Sequence, residues 1–256
     1  MRVLEIAASL KIGGDEKIAR DIGYYSNSDI YQIDYVVFGD EIGEYEKELQ
    51  EKGEAKANRE AELKRTVTDI VDAICSTLSA VKCMYPQIQV HLHRDVTFVT
   101  AQELEDLYPD FTGKERENAY VKEHPTTFII GIGGKLKSGK PHDGRAPDYD
   151  DWTLNGDILV YYPVLDIAFE LSSMGIRVDE EALVRQLSAA GCPERAELPF
   201  HRQLLSGNLP YTMGGGIGQS RMCMFFLRKA HIGEVQSSYW EPEMIRECTE
   251  KGICLL

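Results

Sequence analysis

Between residues 54 and 85, Leu63, Val67, Ile70, Val71, Ile74, Leu78 and Val81 recur at intervals of three and four among charged residues. That spacing draws one apolar stripe along a helix, and Pro86 marks its end. The period then changes to two. Residues 89–99 (QVHLHRDVTFV) alternate as a strand with His91 and His93 on one face. Residues 126–132 are β-branched and aromatic, the composition of a central strand. Residues 158–165 (ILVYYPVL) and 167–178 (IAFELSSMGIRV) read as two more strands. Along the second, simple alternation puts Ala168, Glu170 and Ser172 on one face and Phe169, Leu171 and Ser173 on the other. Helical patterns cover Glu103-Leu104, residues 115–122, and residues 178–191, the last capped by Asp179 and closed by Gly191.

Residues 1–53 carry a different pattern. Residues 2–8 read as a buried strand, Gly13-Gly14 as a turn, residues 15–25 as a helix, residues 33–38 as a second strand and residues 41–52 as a charged helix. This βαβα order is Rossmann-like, so two units are expected, 1–53 and 54–256.

The stretch from Tyr211 to Ile232, YTMGGGIGQSRMCMFFLRKAHI, carries the densest chemical signal. An extended run ends in Gly214, Gly215, Gly216 and Gly218, where backbone can approach a bulky ligand. From Gln219 the residues Met222 to Leu227 are apolar nearly all round, the pattern of a buried helix. Arg221 stands in its first turn. A glycine turn leading into a helix N-terminus that bears an arginine suits an anion, since amide groups, macrodipole and guanidinium all favour negative charge there. The alternative is a glycine hairpin that simply needs positive φ.

Two other motifs call for a decision. Residues 133–140 (GGKLKSGK) satisfy GxxxxGK, but Pro141 stands where a magnesium-binding hydroxyl belongs and no helix pattern follows, so a phosphate-cradling loop is rejected. Glu170 is a charge on an otherwise apolar strand, costly there unless paired or metal-bound. An ion pair to Arg177 is one explanation. The other is that Asp157 and Glu170, on neighbouring antiparallel strands, offer hard oxygens to magnesium. The histidine pair lacks a nearby third ligand and is read as solvated.

Composition narrows the classes. With 28 basic against 42 acidic side chains the formal charge is −14, which disfavours broad nucleic-acid or anionic-membrane surfaces. The six cysteines show no CxxC spacing, pointing to free thiols. The first residues do not form a signal peptide and no segment reaches transmembrane length, so a soluble cytoplasmic protein is expected.

The order GGGIGQSR before an apolar helix resembles motif 3 of class II aminoacyl-tRNA synthetases, whose arginine contacts ATP phosphates. Within that superfamily the words LPFHRQLL, HIGEVQ, RAPDYDDW, NGDILV and FELSSMGIR are similar to the aspartate–ammonia ligase family over about residues 56–256. The resemblance implies an α+β fold, a class II synthetase-like antiparallel sheet flanked by helices, preceded by the short βαβα segment. It implies an ATP-dependent ligase making asparagine from aspartate and ammonia through an aspartyl-adenylate, with ATP and Mg2+ as cofactors. By the same resemblance Arg145 would bind a substrate carboxylate and Asp150 the α-ammonium, with Arg177 nearby. Glu170, Ser172, Gly216 and Arg221 would hold the nucleotide, Asp157 and Glu170 the metal, and Asp150 and Arg221 would act in catalysis. Residues 1–53 resemble the start of a GT-B glycosyltransferase, as a fragment without transferase activity. Members of the ligase family are homodimers; their dimer-forming motif 1 and ATP-gripping motif 2 have no counterpart here, so a weak or inactive ligase is expected. A noncatalytic adenylate- or amino-acid-binding module and a glycosyltransferase fragment are the alternatives. A tRNA synthetase is disfavoured by the absence of an anticodon-binding domain and of a basic surface.

Overall fold

The computed structural model describes residues 2–7, 32–37 and 56–256, with side chains from residue 59 onward. Strands β1 (Arg2–Ala7) and β2 (Gln32–Val37) pair in parallel, register Arg2 to Gln32. The two strands expected over residues 2–8 and 33–38 are thus present. The turn at Gly13-Gly14 and the helices expected over residues 15–25 and 41–52 lie outside the described residues.

Helix α1 (Lys56–Met84) follows its stripe: Leu63, Val67, Ile70, Val71, Ile74 and Leu78 are all buried. The strand expected over residues 89–99 is shorter. Only β3 (Thr97–Thr100) pairs with a neighbour. Upstream, Val90 and Leu92 are buried while His91 and His93 point outward, their rings edge to face at 4.7 Å. Alternation of burial thus persists in an extended segment that has no strand partner among the described residues. Two short helices follow, α2 (Ala101–Leu107) and α3 (Gly113–Glu123), each started by a reciprocal capping box, Thr100 with Glu103 and Thr112 with Glu115.

The second sheet has the order β3-β4-β5-β6-β7, where β4 is Thr126–Ile130, β5 Asp150–Tyr162, β6 Ile167–Arg177 and β7 Met213–Ile217. Only the β3–β4 edge is parallel; the other three pairings are antiparallel, the α+β arrangement expected. Strand β5 begins eight residues before Ile158, so the tail of the RAPDYDDW segment is strand rather than loop, with Asp150 opposite Arg177.

The two faces of this sheet are covered by different helices. Phe128, Ile158, Val160, Phe169, Leu171, Met174 and Ile176 pack with the α1 stripe. Ile129, Leu159 and Ala168 pack with Ala101, Leu104 and Val121 on the other side. Helix α4 (Glu180–Ala189), capped by Asp179 onto the Ala182 amide, joins α5 (Pro199–Leu205) in a third cluster around Leu183, Leu187 and Leu204.

Strand β6 departs from simple alternation. Its register runs Asp157 to Ser173 and Ile158 to Ser172, then Leu159 to Glu170, so Leu171 is an extra residue in a β-bulge. Cross-strand partners share a face. Ser172 therefore lies with Ile158 on the α1 side and is buried, and Ser173 joins Glu170 and Asp157 on the other. Ser172 and Glu170, expected on one face, are on opposite faces.

The glycine strand β7 is explained by packing. A Cβ on Gly215 would sit 2.5 Å from the Met174 Cβ, so only glycine lets β7 lie against β6 there. The four glycines in this segment do not take positive φ, so the hairpin alternative does not hold. Helix α6 (Gln219–Leu227) buries Met224 and Phe225, while Cys223 and Leu227 are exposed. It is half-exposed, not buried all round as its composition suggested. The Tyr162 hydroxyl ties down its end, donating to the carbonyls of Met224 (3.0 Å) and Lys229 (2.6 Å). Helix α7 (Pro242–Glu250) closes the chain. No described helix is long and apolar enough to cross a membrane.

Candidate functional site

A cleft of about 620 Å³ opens over the C-terminal end of β6, the glycines of β7 and the start of α6. Tyr149, Asp150, Glu170, Ser173, Arg177, Gly215, Gly216 and Arg221 line it. The bulge in β6 brings Glu170 and Ser173 to the same side, and the β6–β7 register (Ser173 to Gly216) sets the glycine backbone beside them. Gly218 starts α6 without a side-chain cap, leaving the first-turn amides to a ligand or solvent. Arg221, one turn in, pairs with Glu170 at 2.7 Å, both side chains partly exposed. Glu170 is thus explained by Arg221 rather than Arg177.

Arg177 instead pairs with Asp150, lies over the Tyr149 ring at 3.9 Å and donates to the Tyr149 hydroxyl at 3.1 Å. Burial pushes the Asp150 carboxyl above its ordinary value, against the opposing pull of Arg177. Asp150 itself is held from behind. Gln186 of α4 accepts from the Trp152 amide (2.7 Å) and donates to the carbonyls of Pro147 (2.9 Å) and Asp150 (3.0 Å), locking both ends of the turn that presents it. Gln186 is fully buried on the otherwise apolar stripe of α4. A polar residue at that period is the one signal of this role in the sequence.

Arg145 does not line the cleft. Its guanidinium bonds Asp157, donates to Asp143 at 3.3 Å and to the Gly144 carbonyl at 3.0 Å. Burial raises the Asp157 carboxyl, with Arg145 drawing it back. Asp157 and Glu170 do converge, since both line a smaller cavity of about 160 Å³ together with Lys114, Glu117, His142, Asp143 and Leu159. Ser172, expected at the nucleotide, is buried on the α1 side; Ser173 holds the corresponding place in the cleft. The structure therefore gathers Asp150, Glu170, Arg177, Gly216 and Arg221 in one cleft, sets Asp157 beside it and leaves Arg145 one contact behind. His91 and His93 are both exposed.

The arrangement presents opposite charges at two spots, an acid–arginine pair at each. Such a cleft suits a zwitterion beside a polyanion, with the glycine strand able to admit a planar group close to backbone.

Residues 41–252 match the family model described as aspartate-ammonia ligase. The curated relatives include the aspartate–ammonia ligase of Clostridium perfringens, 64% identical over 194 residues, which are 76% of this chain and 58% of that protein. That of Lactobacillus johnsonii is 56% identical over 208 residues, 80% of this chain and 62% of the relative. The chain spans about three fifths of the length of these relatives. Among solved structures, the asparaginyl-tRNA synthetase of Entamoeba histolytica in complex with asparaginyl-adenylate aligns with 68% of this chain and 43% of its own, at 18% identity and a TM-score of 0.48.

Proposed function

Because the chain belongs to the aspartate–ammonia ligase family, we propose that its cleft activates aspartate with ATP and transfers the activated acyl group to ammonia, forming asparagine, AMP and pyrophosphate. The observation that carries this reading is the meeting of two acid–arginine pairs, Asp150–Arg177 and Glu170–Arg221, against the glycine strand β7.

Asp150 takes the α-ammonium of aspartate, its carboxylate oriented by Arg177 and by the Gln186 clamp. Arg177 supplies positive charge for a substrate carboxylate, while Arg145, one contact behind the cleft, offsets the buried charge of Asp157. Arg221 and the free amides at the start of α6 receive phosphate oxygens, and Gly216, with open space around its Cα, lets the nucleotide lie on the strand. The side-chain carboxylate of aspartate attacks the α-phosphorus; pyrophosphate leaves, and Arg221 offsets the charge that builds on the phosphate oxygens. Ammonia then adds to the acyl carbon and AMP departs. Holding two reactants in line is the larger part of the task, which is why Gln186 matters although it touches neither.

Magnesium is the metal this reading implies. The residues fit it: Asp157 and Glu170 share one cavity, and Asp157 Oδ1 is buried without a hydrogen-bond partner among the described residues. Each would lend a hard carboxylate oxygen, and the ion when bound would polarise phosphate oxygens. We read residues 1–53 as a separate βαβα unit, supported by the β1–β2 pair forming its own parallel sheet. The test is incubation of the purified chain with aspartate, ammonium and magnesium ATP. Asparagine and AMP in equal amounts, formed far more slowly than by a full-length relative assayed beside it, are expected; ATP hydrolysis without asparagine, or a folded chain that binds neither ATP nor aspartate, overturns the reading.

A further inference from the structure

Two histidines are buried among the described residues, His142 and His201, and each is paired with an acid. His142 meets Glu117 of α3 at 3.1 Å beside the small cavity. The partner of His201 is Asp148, which stands in the turn that presents Asp150 to the cleft.

Helix α5 starts at Pro199 and buries His201 and Leu204, three residues apart on one face. Leu204 packs with Leu183 and Leu187 of α4. A hydrocarbon side chain would serve packing at this face, so a histidine there calls for a polar partner. Its Nε2 lies 3.0 Å from Asp148 Oδ2, while Nδ1 has no partner among the described residues. The exposed Arg195 adds a longer contact of 3.3 Å to the same oxygen, one that solvent screens. Burial works against the Asp148 charge, yet His201 and Arg195 hold its carboxyl below the ordinary value. Facing that carboxylate, Nε2 donates whether the ring is neutral or charged.

The backbone of the turn is held from other directions. Gln186 of α4 bonds the carbonyls of Pro147 and Asp150, and the Tyr149 carbonyl accepts from the Val178 amide at 3.0 Å. Asp148 adds a tether to α5. It lies next to Tyr149 and two residues before Asp150, the pair that meets Arg177 in the cleft.

We propose that His201 is a positioning residue for the amino-acid side of the cleft: through Asp148 it fixes the turn so that Tyr149 and Asp150 meet Arg177 in one orientation. That the bound amino acid is aspartate rests on the ligase reading; the tether does not.

Two measurements on the whole chain test this. The first is amide hydrogen exchange without ligands, read by mass spectrometry. In His201→Leu, residues 148–152 and Val178 are expected to exchange about tenfold faster, the effect of losing one bond to a charged partner, with α1 and β4 unchanged. His201→Gln, whose amide nitrogen can take the place of Nε2, should recover part of the protection. The second is titration calorimetry. Aspartate should bind about tenfold more weakly to His201→Leu, with partial recovery in His201→Gln and the same ATP affinity throughout. If His201→Leu does not fold, Asp148→Ala decides, with the same pattern expected. The double variant should be no worse than either single one. Unchanged exchange at the turn in a folded variant, or a rise spread evenly over the chain, overturns the tether. A loosened turn with aspartate affinity equal to the parent's overturns the positioning role. A parent chain that binds no aspartate, while His201→Leu still loosens the turn, sinks the ligase reading and leaves the tether.

Discussion

Replacing Arg221 with alanine separates the electrostatic role of this side chain from its structural one. Among the described residues Arg221 makes one ion pair, to Glu170 at 2.7 Å, and both side chains are partly exposed, 48% and 32%. A pair of that exposure contributes about 0–1 kcal/mol to stability. The variant should therefore fold, with a thermal midpoint within about 3 °C of the parent. A charge-assisted bond to a phosphate is worth about 1.5–3 kcal/mol, so ATP affinity should fall by roughly 10- to 150-fold. Arg221→Lys should restore part of the loss, because the charge returns without the two-pronged geometry. The partner residue gives the opposite sign. Without magnesium, Glu170→Gln frees Arg221 and should tighten ATP binding; with magnesium it removes a metal oxygen and should weaken it. Titration calorimetry of the three variants, with and without the metal, measures all of this. Unchanged ATP affinity in a folded Arg221→Ala protein would refute the reasoning, as would a loss of binding that merely tracks unfolding.

Three further outcomes follow from particular contacts. Asp150 and Asp157 have folded-state pKa values raised above 3.8, so on acidification the folded chain takes up protons before the unfolded chain does. These two groups should make stability rise as pH falls through that window, and aspartate binding, which needs Asp150 ionised, should weaken at a higher pH than for an ordinary carboxylate; unfolding and binding curves against pH, compared with Asp150→Asn, check both. Tyr162→Phe removes a donor shared by two buried carbonyls and should cost about 1–3 kcal/mol in denaturant unfolding without altering the cleft. Gly215→Val should lose ATP binding and stability together, because its Cβ would press on Met174, whereas Gly216→Ala has open space and should keep the fold; melting curves of the pair distinguish packing from ligand approach.

Much of this architecture was legible because its causes are local. The α1 stripe, the Asp179 cap and the β-branched run of β4 each state their structure in a few residues. Glu170 announced itself as a charge among apolar neighbours, and its convergence with Asp157 followed from two strands being adjacent. What failed depended on distant partners. Residues 89–96 alternate like a strand, but alternation records burial and not the presence of a hydrogen-bonding neighbour. The run Met222 to Leu227 has no polar face to reveal which side is covered, so half of α6 was assigned to a core it does not enter. The His142–Glu117 bond joins residues 25 apart in sequence, and the Gln186 clamp spans 34 or more; neither has a period to detect. Ser172 was exchanged for Ser173 by a single unpaired residue.

That residue, Leu171, gives β6 two phases. Upstream of it Phe169 points to the α1 core, and downstream Met174 and Ile176 do the same, although the interval from 169 to 174 is odd. In an unbroken ladder the same sequence would have to choose, either turning Met174 and Ile176 out of the core or seating Glu170 in it and turning Phe169 out. The bulge lets one strand serve as core wall for its whole length and still deliver Glu170, Ser173 and Arg177 to the cleft. Shortening the strand by Leu171 would therefore restore a regular ladder with Glu170, Ser173 and Arg177 still facing the cleft, at the expense of one core leucine. Deleting Glu170 or Ser173 instead would shorten the strand equally and empty a place in the cleft. Tolerance to deletion along this strand is thus set by phase rather than by distance from the cleft.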